Sequence, residues 1–199
     1  SQLVWKYQLF NTEAHGTTAY LALYHGLRNY YHDFDAPVFS NIKGFIDFGG
    51  VKKLTAFFIK RGKRYGFPTE INDLTKRRLI SLAYINDNLQ YFDFFIREFK
   101  DTAESKRYDD ARWQNLFGQF YLKHKQYSKA ESYFKKAVLK FPKSKEIAEM
   151  HTSLGQIYAS QKKKALARSH FKQAIEIAEK SSDQNLETYK KQLSDLNKT

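Results

Sequence analysis

The second half of the chain contains an internal repeat. Five residues of the first copy recur, at the same offsets, 37 positions later: Gly118, Tyr121, Ala130, Phe134 and Ala137 are matched by Gly155, Tyr158, Ala167, Phe171 and Ala174. From average residue usage, five such identities are expected by chance less than about once in 10⁵ alignments. Self-similarity at this period is typical of chains that stack one small structural unit on the next. The repeat therefore favours a stacked architecture for this half of the chain.

The spacing of apolar residues predicts two helices in each copy, because they recur every three or four positions on either side of a polar turn. The stripes of the first copy are Trp113, Leu116, Phe117, Phe120 and Tyr121, then Ala130, Phe134, Ala137, Val138 and Phe141. Those of the second are Ile147, Met150, Leu154, Ile157 and Tyr158, then Ala167, Phe171, Ala174, Ile175 and Ala178. We expect antiparallel helix pairs at about 111 to 141 and 146 to 180. A capping helix from about Asp183 should end the stack with a polar outer surface.

This pattern resembles the tetratricopeptide repeat (TPR), in which each unit is an antiparallel helix pair with small residues where the helices pack closest. The resemblance implies a mainly all-α, TPR-like superhelix whose first helices line a concave face that binds a protein or peptide. The residues implied for that face are Arg112, Asn115, Gln119, Leu122, Lys123, Thr152, Gln156 and Ala159. The carboxylate clamp of the family requires lysine where this chain has Asn115 and asparagine where it has Gln119. Binding of a chaperone tail is therefore not expected, and the sequence does not identify the ligand.

Two repeats are fewer than the three that a stable stack usually needs, so an upstream pair is expected. Apolar residues at helical spacing flank a turn at Asn86, Asp87 and Asn88 and predict helices on both sides of it. This pair is either a degenerate repeat or an ordinary helical hairpin, and both give the same architecture. The predicted repeat domain covers 73–199, and 35–72 forms a helical connector with a helix from Val51 to about Arg61.

The first 34 residues show a different pattern. The run from Val4 to Phe10 has strand propensity, Asn11 to Thr17 reads as a polar turn, and a helix is expected from about Thr18 to Tyr31. A lone strand leaves its backbone groups unpaired. We therefore expect dimerisation to run through residues 1–34, at the open edge of this strand, rather than through the repeats.

The segment Glu13-Ala14-His15-Gly16-Thr17-Thr18, with the leucines and Tyr24 that follow, resembles the C-terminal end of serine esterases with the α/β-hydrolase fold. The resemblance covers about 33 residues and implies that 1–34 are a strand-turn-helix remnant of such a domain, with His15 as the triad histidine. That imidazole would take the proton of the serine nucleophile and return it to the leaving group. Some members of the family carry tetratricopeptide repeats after the esterase domain, which matches the order here.

The chain contains no Gly-x-Ser-x-Gly nucleophile elbow, and the family's order places nucleophile and acid before the histidine. The resemblance thus implies the C-terminal part of a longer esterase that is inactive on its own, with repeats that bind a partner or cover the active site of the upstream domain. The alternative is a free-standing adaptor in which His15 is a solvated or capping residue.

The net charge of +13 raises a third possibility, a basic binder of nucleic acid or an anionic surface. Most lysines lie at solvated positions of helices and turns, and no nucleic-acid module accompanies them, so specific nucleic-acid binding is not expected. The absence of cysteine excludes disulfides and thiolate metal sites but leaves both cytoplasm and bacterial periplasm open. No cofactor, metal site or transmembrane segment is predicted.

Overall fold

Helices form the whole regular structure of the part of the chain that the computed structural model describes, Tyr7 and residues 9–198. Of these residues 72% are helical and none is in a strand. The prediction of a mainly α architecture is confirmed. The structure divides into two units, Ser1–Thr75 and Lys76–Thr199.

The first unit contains three helices, α1 (His15–Tyr30), α2 (Ile42–Phe48) and α3 (Gly50–Tyr65). Asn41 caps α2 by accepting a hydrogen bond from the Gly44 backbone N–H at 2.8 Å. Gly49 joins α2 to α3 with φ of 107°, a conformation that only glycine adopts without strain. The α2–α3 hairpin buries side chains from both helices: Ile42, Phe45, Leu54 and Phe58.

A buried carboxylate fastens the C-terminal end of α1 to α3. Asp33 accepts a hydrogen bond from the Tyr65 hydroxyl at 2.6 Å and lies 3.3 Å from Arg64 Nη1. Burial opposes ionisation of Asp33, but the Tyr65 hydrogen bond and the Arg64 charge together hold its pKa below the usual value. The Tyr30 carbonyl accepts a further hydrogen bond from Arg64, and the Tyr65 hydroxyl oxygen lies 2.9 Å from the same carbonyl oxygen. The rest of α1 exposes apolar side chains, which are Tyr20, Leu23, Tyr24 and Leu27.

The prediction for the N-terminal segment needs correction. The expected strand from Val4 to Phe10 falls largely outside the described residues, and Leu9 and Phe10 belong to no regular element. Helix α1 begins at His15, so the expected turn ends three residues early and His15 opens a helix. The reason is local, because the Thr17 and Thr18 hydroxyls both donate hydrogen bonds to the Ala14 carbonyl and stabilise the first turn. The connector contains α2, which was not predicted, and α3 extends past the expected end at Arg61.

The second unit is a run of helices joined by short turns. These are α4 (Asp73–Ile85), whose first residues belong to the first unit, α5 (Leu89–Glu98), α6 (Lys100–Ala103), α7 (Ala111–Lys123), α8 (Tyr127–Lys140), α9 (Ile147–Ser160), α10 (Lys164–Ser181) and α11 (Leu186–Lys198). Helix α7 packs on α8, α8 on α9, α9 on α10, and α10 on α11. The two predicted pairs and the capping helix are thus confirmed, with the cap starting at Leu186.

The turn between the helices has the same geometry in all three pairs. One residue in each turn is left-handed, with φ of 52° at Asp87, 57° at Lys125 and 59° at Lys162. The next backbone N–H donates a 2.9 Å hydrogen bond to a carbonyl five residues earlier: Asn88 to Ala83, Gln126 to Tyr121, and Lys163 to Tyr158. The turn between α4 and α5 is therefore equivalent to the turns within the two sequence repeats, which is the geometry expected of a degenerate repeat.

Tyrosines of the first helices tie each pair to the one before it. Tyr121 on α7 donates its hydroxyl to Asp93 on α5 at 2.8 Å, and Tyr158 on α9 donates to Glu131 on α8 at 2.7 Å. Burial, together with the bond to Asp93, raises the pKa of Tyr121, so the phenol stays protonated and keeps its donor. The recurrence of this bond at α5 supports the same equivalence.

Two histidines meet inside the last pair. His151 of α9 and His170 of α10 place their Nδ1 atoms 2.9 Å apart, and the His170 ring stacks on Tyr158 with centroids 5.4 Å apart. A hydrogen bond between two imidazoles requires at least one to be neutral, because one nitrogen must accept. Burial first, and the His170 charge second, lower the pKa of His151 to about 4. Burial also lowers the pKa of His170.

The histidine pair should make the protein less stable as the pH falls from 6.5 towards 4. The unfolded chain takes up a proton on each imidazole near pH 6.5, whereas folded His151 does so only near pH 4, so the unfolded state binds more protons in this window. The expected loss from His151 is about 1 to 3 kcal/mol. Urea unfolding at pH 7 and pH 5 measures it, and the His151→Gln variant should lose less stability between these pH values. An NMR titration that placed the His151 imidazole near 6.5 would contradict the assignment.

Candidate functional site

The first helices of the pairs, α4, α7 and α9, present a common face with a groove in it. Between α4 and α7 the groove has a volume of about 440 Å³ and is lined by Tyr84, Ile85, Asp87, Gln119, Phe120 and Lys123. All six residues lie in the second unit.

An apolar floor lies under the groove. The rings of Tyr84 and Phe120 are in contact, with centroids 5.3 Å apart, and Phe120 is itself buried on Phe92. Ile85 stands at the edge with 74% of its surface exposed. Because this exposed isoleucine lies beside two aromatic rings, an apolar side chain of a ligand could be buried against all three.

Charges at the rim are paired. Asp87 accepts from Lys123 Nζ at 2.7 Å and meets His124 Nε2 at 2.9 Å. The hydrogen bond from Lys123, more than that from His124, lowers the pKa of Asp87. Lys123 therefore contributes a hydrogen-bond donor to the rim rather than a free charge, because Asp87 compensates its charge.

A network of hydrogen-bonded polar side chains continues this face from α7 to α9. Asn115 Nδ2 donates to Glu149 Oε2 at 2.7 Å, and Gln119 Nε2 donates to Ser153 Oγ at 2.8 Å and to Glu149 Oε1 at 3.3 Å. Asn115 is only 9% exposed, so its amide holds the two helices together. Gln119 remains partly exposed and belongs to both the network and the groove.

The structure brings only some of the sequence-predicted face residues to an accessible surface. Arg112 and Gln156 are exposed, and Leu122 and Ala159 are partly buried. Thr152 is buried, and its hydroxyl donates to the Ala148 carbonyl at 3.0 Å, so this side chain serves the helix rather than a ligand. The groove residues that sequence reasoning missed are Tyr84, Ile85, Asp87 and Phe120, and the network residues that it missed are Glu149 and Ser153. The signal that could have found the first three is the position of the turn in the degenerate pair.

His15 lies in the first unit, where its backbone opens α1. Among the residues that the structure describes, no group of three histidine, cysteine or carboxylate side chains is arranged to hold a metal ion. The described helices include none that is long and apolar enough to span a bilayer.

Comparison with known proteins bears on the repeat segment alone. Residues 109–180 match the family model of the tetratricopeptide repeat. Neither curated proteins nor solved structures give a match to the chain. Helices α7 to α10 account for the matched segment, and repeats of this type generally mediate protein–protein interaction. Residues 109–180 are therefore similar to the tetratricopeptide repeat, a class of repeat that forms protein-interaction modules.

Proposed function

We propose that the second unit binds a segment of a partner protein in the groove between α4 and α7, with the network on α9 as its continuation. The observation that carries this proposal is the exposed Ile85 beside the Tyr84 and Phe120 rings, with Gln119 and the Asp87–Lys123 pair at the rim. An apolar centre with a polar rim is the usual anatomy of a protein-binding site. The partner segment should place one apolar side chain on the floor and hydrogen-bond its backbone to the rim.

The charges argue against a C-terminal carboxylate as the bound group. Glu149 occupies the middle of the face and already accepts hydrogen bonds from Asn115 and Gln119. A second carboxylate there would meet a like charge and find these amides engaged. An internal segment of the partner is therefore favoured over a chain terminus.

Peptides selected for binding to the full chain from a random library should share an apolar residue, and Ile85→Ser should weaken their binding at least about tenfold. Leu139 offers a matched control, because it is 83% exposed on α8, outside the groove. Leu139→Ser should leave the dissociation constant unchanged, as measured by fluorescence anisotropy. Equal binding to the Ile85→Ser variant, or equal loss in both variants, would overturn the location of the site.

A second proposed function concerns residues 1–34 as the end of a serine esterase domain with His15 as its triad histidine. One observation supports it besides the resemblance. The face of α1 with Tyr20, Leu23, Tyr24 and Leu27 is exposed instead of packed. A helix of this kind is expected where further parts of a domain cover it. The repeats would then bind a partner or cover the mouth of the esterase, whereas a free-standing adaptor would leave His15 without a role.

A further inference from the structure

Helix α9 carries a buried histidine and the polar network of the groove on neighbouring residues. Glu149 and Ser153 lie two positions before and two positions after His151. Both of their side chains accept hydrogen bonds from the Gln119 amide of α7. The His151 ring instead meets His170 of α10, with which it forms the histidine pair. One short stretch of α9 therefore joins the groove network to the interior of the last helix pair.

The contact between the two histidines tolerates at most one added proton. In the neutral pair one Nδ1–H donates and the other Nδ1 accepts, over 2.9 Å. A first added proton can enter at an Nε2 atom and leave this bond in place. A second puts a hydrogen on both Nδ1 atoms, so that two donors and two positive charges face each other. The doubly protonated pair therefore cannot keep this geometry.

The two rings differ in their access to water. His170 is partly exposed, so its ring can reach solvent by a change of rotamer. His151 is only 7% exposed and lies in the interior of the last helix pair. A charge that is buried without a partner is strongly disfavoured, so a protonated His151 must be hydrated. Hydration of this ring therefore requires a displacement of α9 from α10.

Charged groups on α8 face the histidine pair but offset each other. Glu131 and Lys135 both act on His170, and their Oε1 and Nζ atoms form an ion pair at 2.6 Å. Burial lowers the pKa of His170 most, the Lys135 charge lowers it further, and the Glu131 charge raises it. Tyr158 donates its hydroxyl to Glu131, and Lys163 Nζ lies 5.8 Å from the centre of the Tyr158 ring. The Glu131 carboxylate is thus already engaged and does not neutralise a protonated pair.

In the described part of the chain, neither α7 nor α11 brings a charged group to the histidine pair. Helix α7 meets α9 through the amides of Asn115 and Gln119. Helix α11 contributes Tyr189, which lies in an apolar cluster with Ala148 of α9. Burial raises the pKa of Tyr189 to about 12, so its phenol stays neutral in the range where histidines titrate. Burial and the contact between the two rings therefore dominate the response of the pair to pH.

We propose that acidification weakens the binding of the partner segment, because proton uptake by the histidine pair displaces α9 and releases the Gln119 amide. This inference rests on the proposed function of the groove, which Gln119 lines. Without Glu149 and Ser153 the amide has no fixed orientation at the rim, so the partner loses a preorganised contact. By linkage, a bound partner in turn lowers the affinity of the pair for protons.

The affinity of a groove peptide at pH 7 and at pH 5.5, where ordinary carboxylates are still ionised, tests the coupling. The probe is a library-selected peptide without histidine or carboxylate groups, whose binding to the full chain Ile85→Ser weakens. Its dissociation constant should rise at least about threefold at pH 5.5, because each imidazole that becomes hydrated favours the displaced state by about eightfold over this range. His151→Gln should remove most of the rise. Equal dissociation constants at both pH values would overturn the coupling and leave the groove as the binding site.

His124 is the competing sensor, because it meets Asp87 at the rim of the groove. His124→Gln should keep the ratio of the two dissociation constants, and so should His32→Gln, which replaces an exposed histidine of the first unit. Loss of the pH dependence in His124→Gln would place the sensor at the rim and contradict the proposal. The helical circular dichroism signal should be equal at both pH values. A fall of this signal together with binding would mean global unfolding and would also contradict it.

A second measurement needs no partner. The NMR signals of the Gln119 side-chain amide report its hydrogen bonds to α9 directly. Between pH 7 and pH 5.5 these signals should shift in the wild-type chain and stay unchanged in His151→Gln. His170→Gln, at the more exposed of the two positions, should reduce the shift and serves if His151→Gln does not fold. Signals that ignore pH in the wild-type chain would overturn the coupling, whereas a response without any groove peptide would support it and refute only the proposed function.

Discussion

Replacing Gly118 with leucine should destabilise the repeat stack by about 3 kcal/mol, measured as the free energy of unfolding in urea. A Cβ atom at this position would lie 2.4 Å from Phe134 Cε1 and 2.7 Å from its Cζ, far inside contact distance. The Phe134 ring is fully buried, so it cannot turn away without opening the core. The second copy repeats the arrangement, because a Cβ on Gly155 would meet Phe171 Cε1 at 2.6 Å.

Alanine substitutions give the matched comparison. Gly118→Ala should still destabilise the protein, although alanine favours a helix over glycine by about 1 kcal/mol. Gly26→Ala in α1 should be neutral or stabilising, since its Cβ would meet no atom within 4 Å. Shortening the facing side chain by Phe134→Leu should recover part of the Gly118→Ala loss in a double-mutant cycle. Additive effects of Gly118→Ala and Phe134→Leu would show that the two residues do not share one contact.

In a protein that contains this chain together with an upstream esterase domain, His15→Ala should reduce ester hydrolysis by several orders of magnitude. The physical reason is that a triad serine without its general base remains a weak nucleophile. The 199 residues alone should show no hydrolysis, because they contain no nucleophile elbow. Turnover of a chromogenic ester measures both.

His25 provides the control for this prediction. It lies on the same helix and packs its ring against Phe10, with centroids 5.3 Å apart, but the resemblance gives it no catalytic position. His25→Ala should therefore keep most of the activity. If His15→Ala kept full turnover, His15 would not be the triad histidine of that domain.

The helices of the two repeats could be predicted closely because both copies keep the same residue sizes at the same places. From the sequence, the α4–α5 pair could not be distinguished from an ordinary helical hairpin, because it has small residues where the repeats have large ones and large residues where they have small ones. By turn geometry Ala83 is equivalent to Tyr121, and Phe92 to Ala130. The small residue lies on the first helix and the large one on the second in the α4–α5 pair, whereas the order is reversed in the α7–α8 pair, and all four side chains are buried. Identity along the sequence disappears while the packing is kept.

For the candidate site, the sequence predicted which helices line it but not which of their side chains are accessible. The resemblance to the tetratricopeptide repeat identified α7 and α9 as lining helices, but the spacing of residues alone cannot tell an accessible side chain from one that holds two helices together. Asn115 and Thr152 belong to the second kind, since each has its polar atoms engaged and little surface exposed. Ile85 and Asp87 reach the groove from a pair that sequence comparison does not align with the others.

The sequence by itself determined the repeat period, the position of the helices and the close crossings at Gly118 and Gly155, because these depend on local spacing and on the absence of a side chain. Only the tertiary structure decided which charges are compensated. Lys123 and Arg97 look alike in sequence, yet one pairs with Asp87 from a different helix pair and the other meets no described carboxylate. Ion pairs and orphaned atoms such as Gln114 Oε1 depend on distances between helices far apart in the chain, which no local pattern contains.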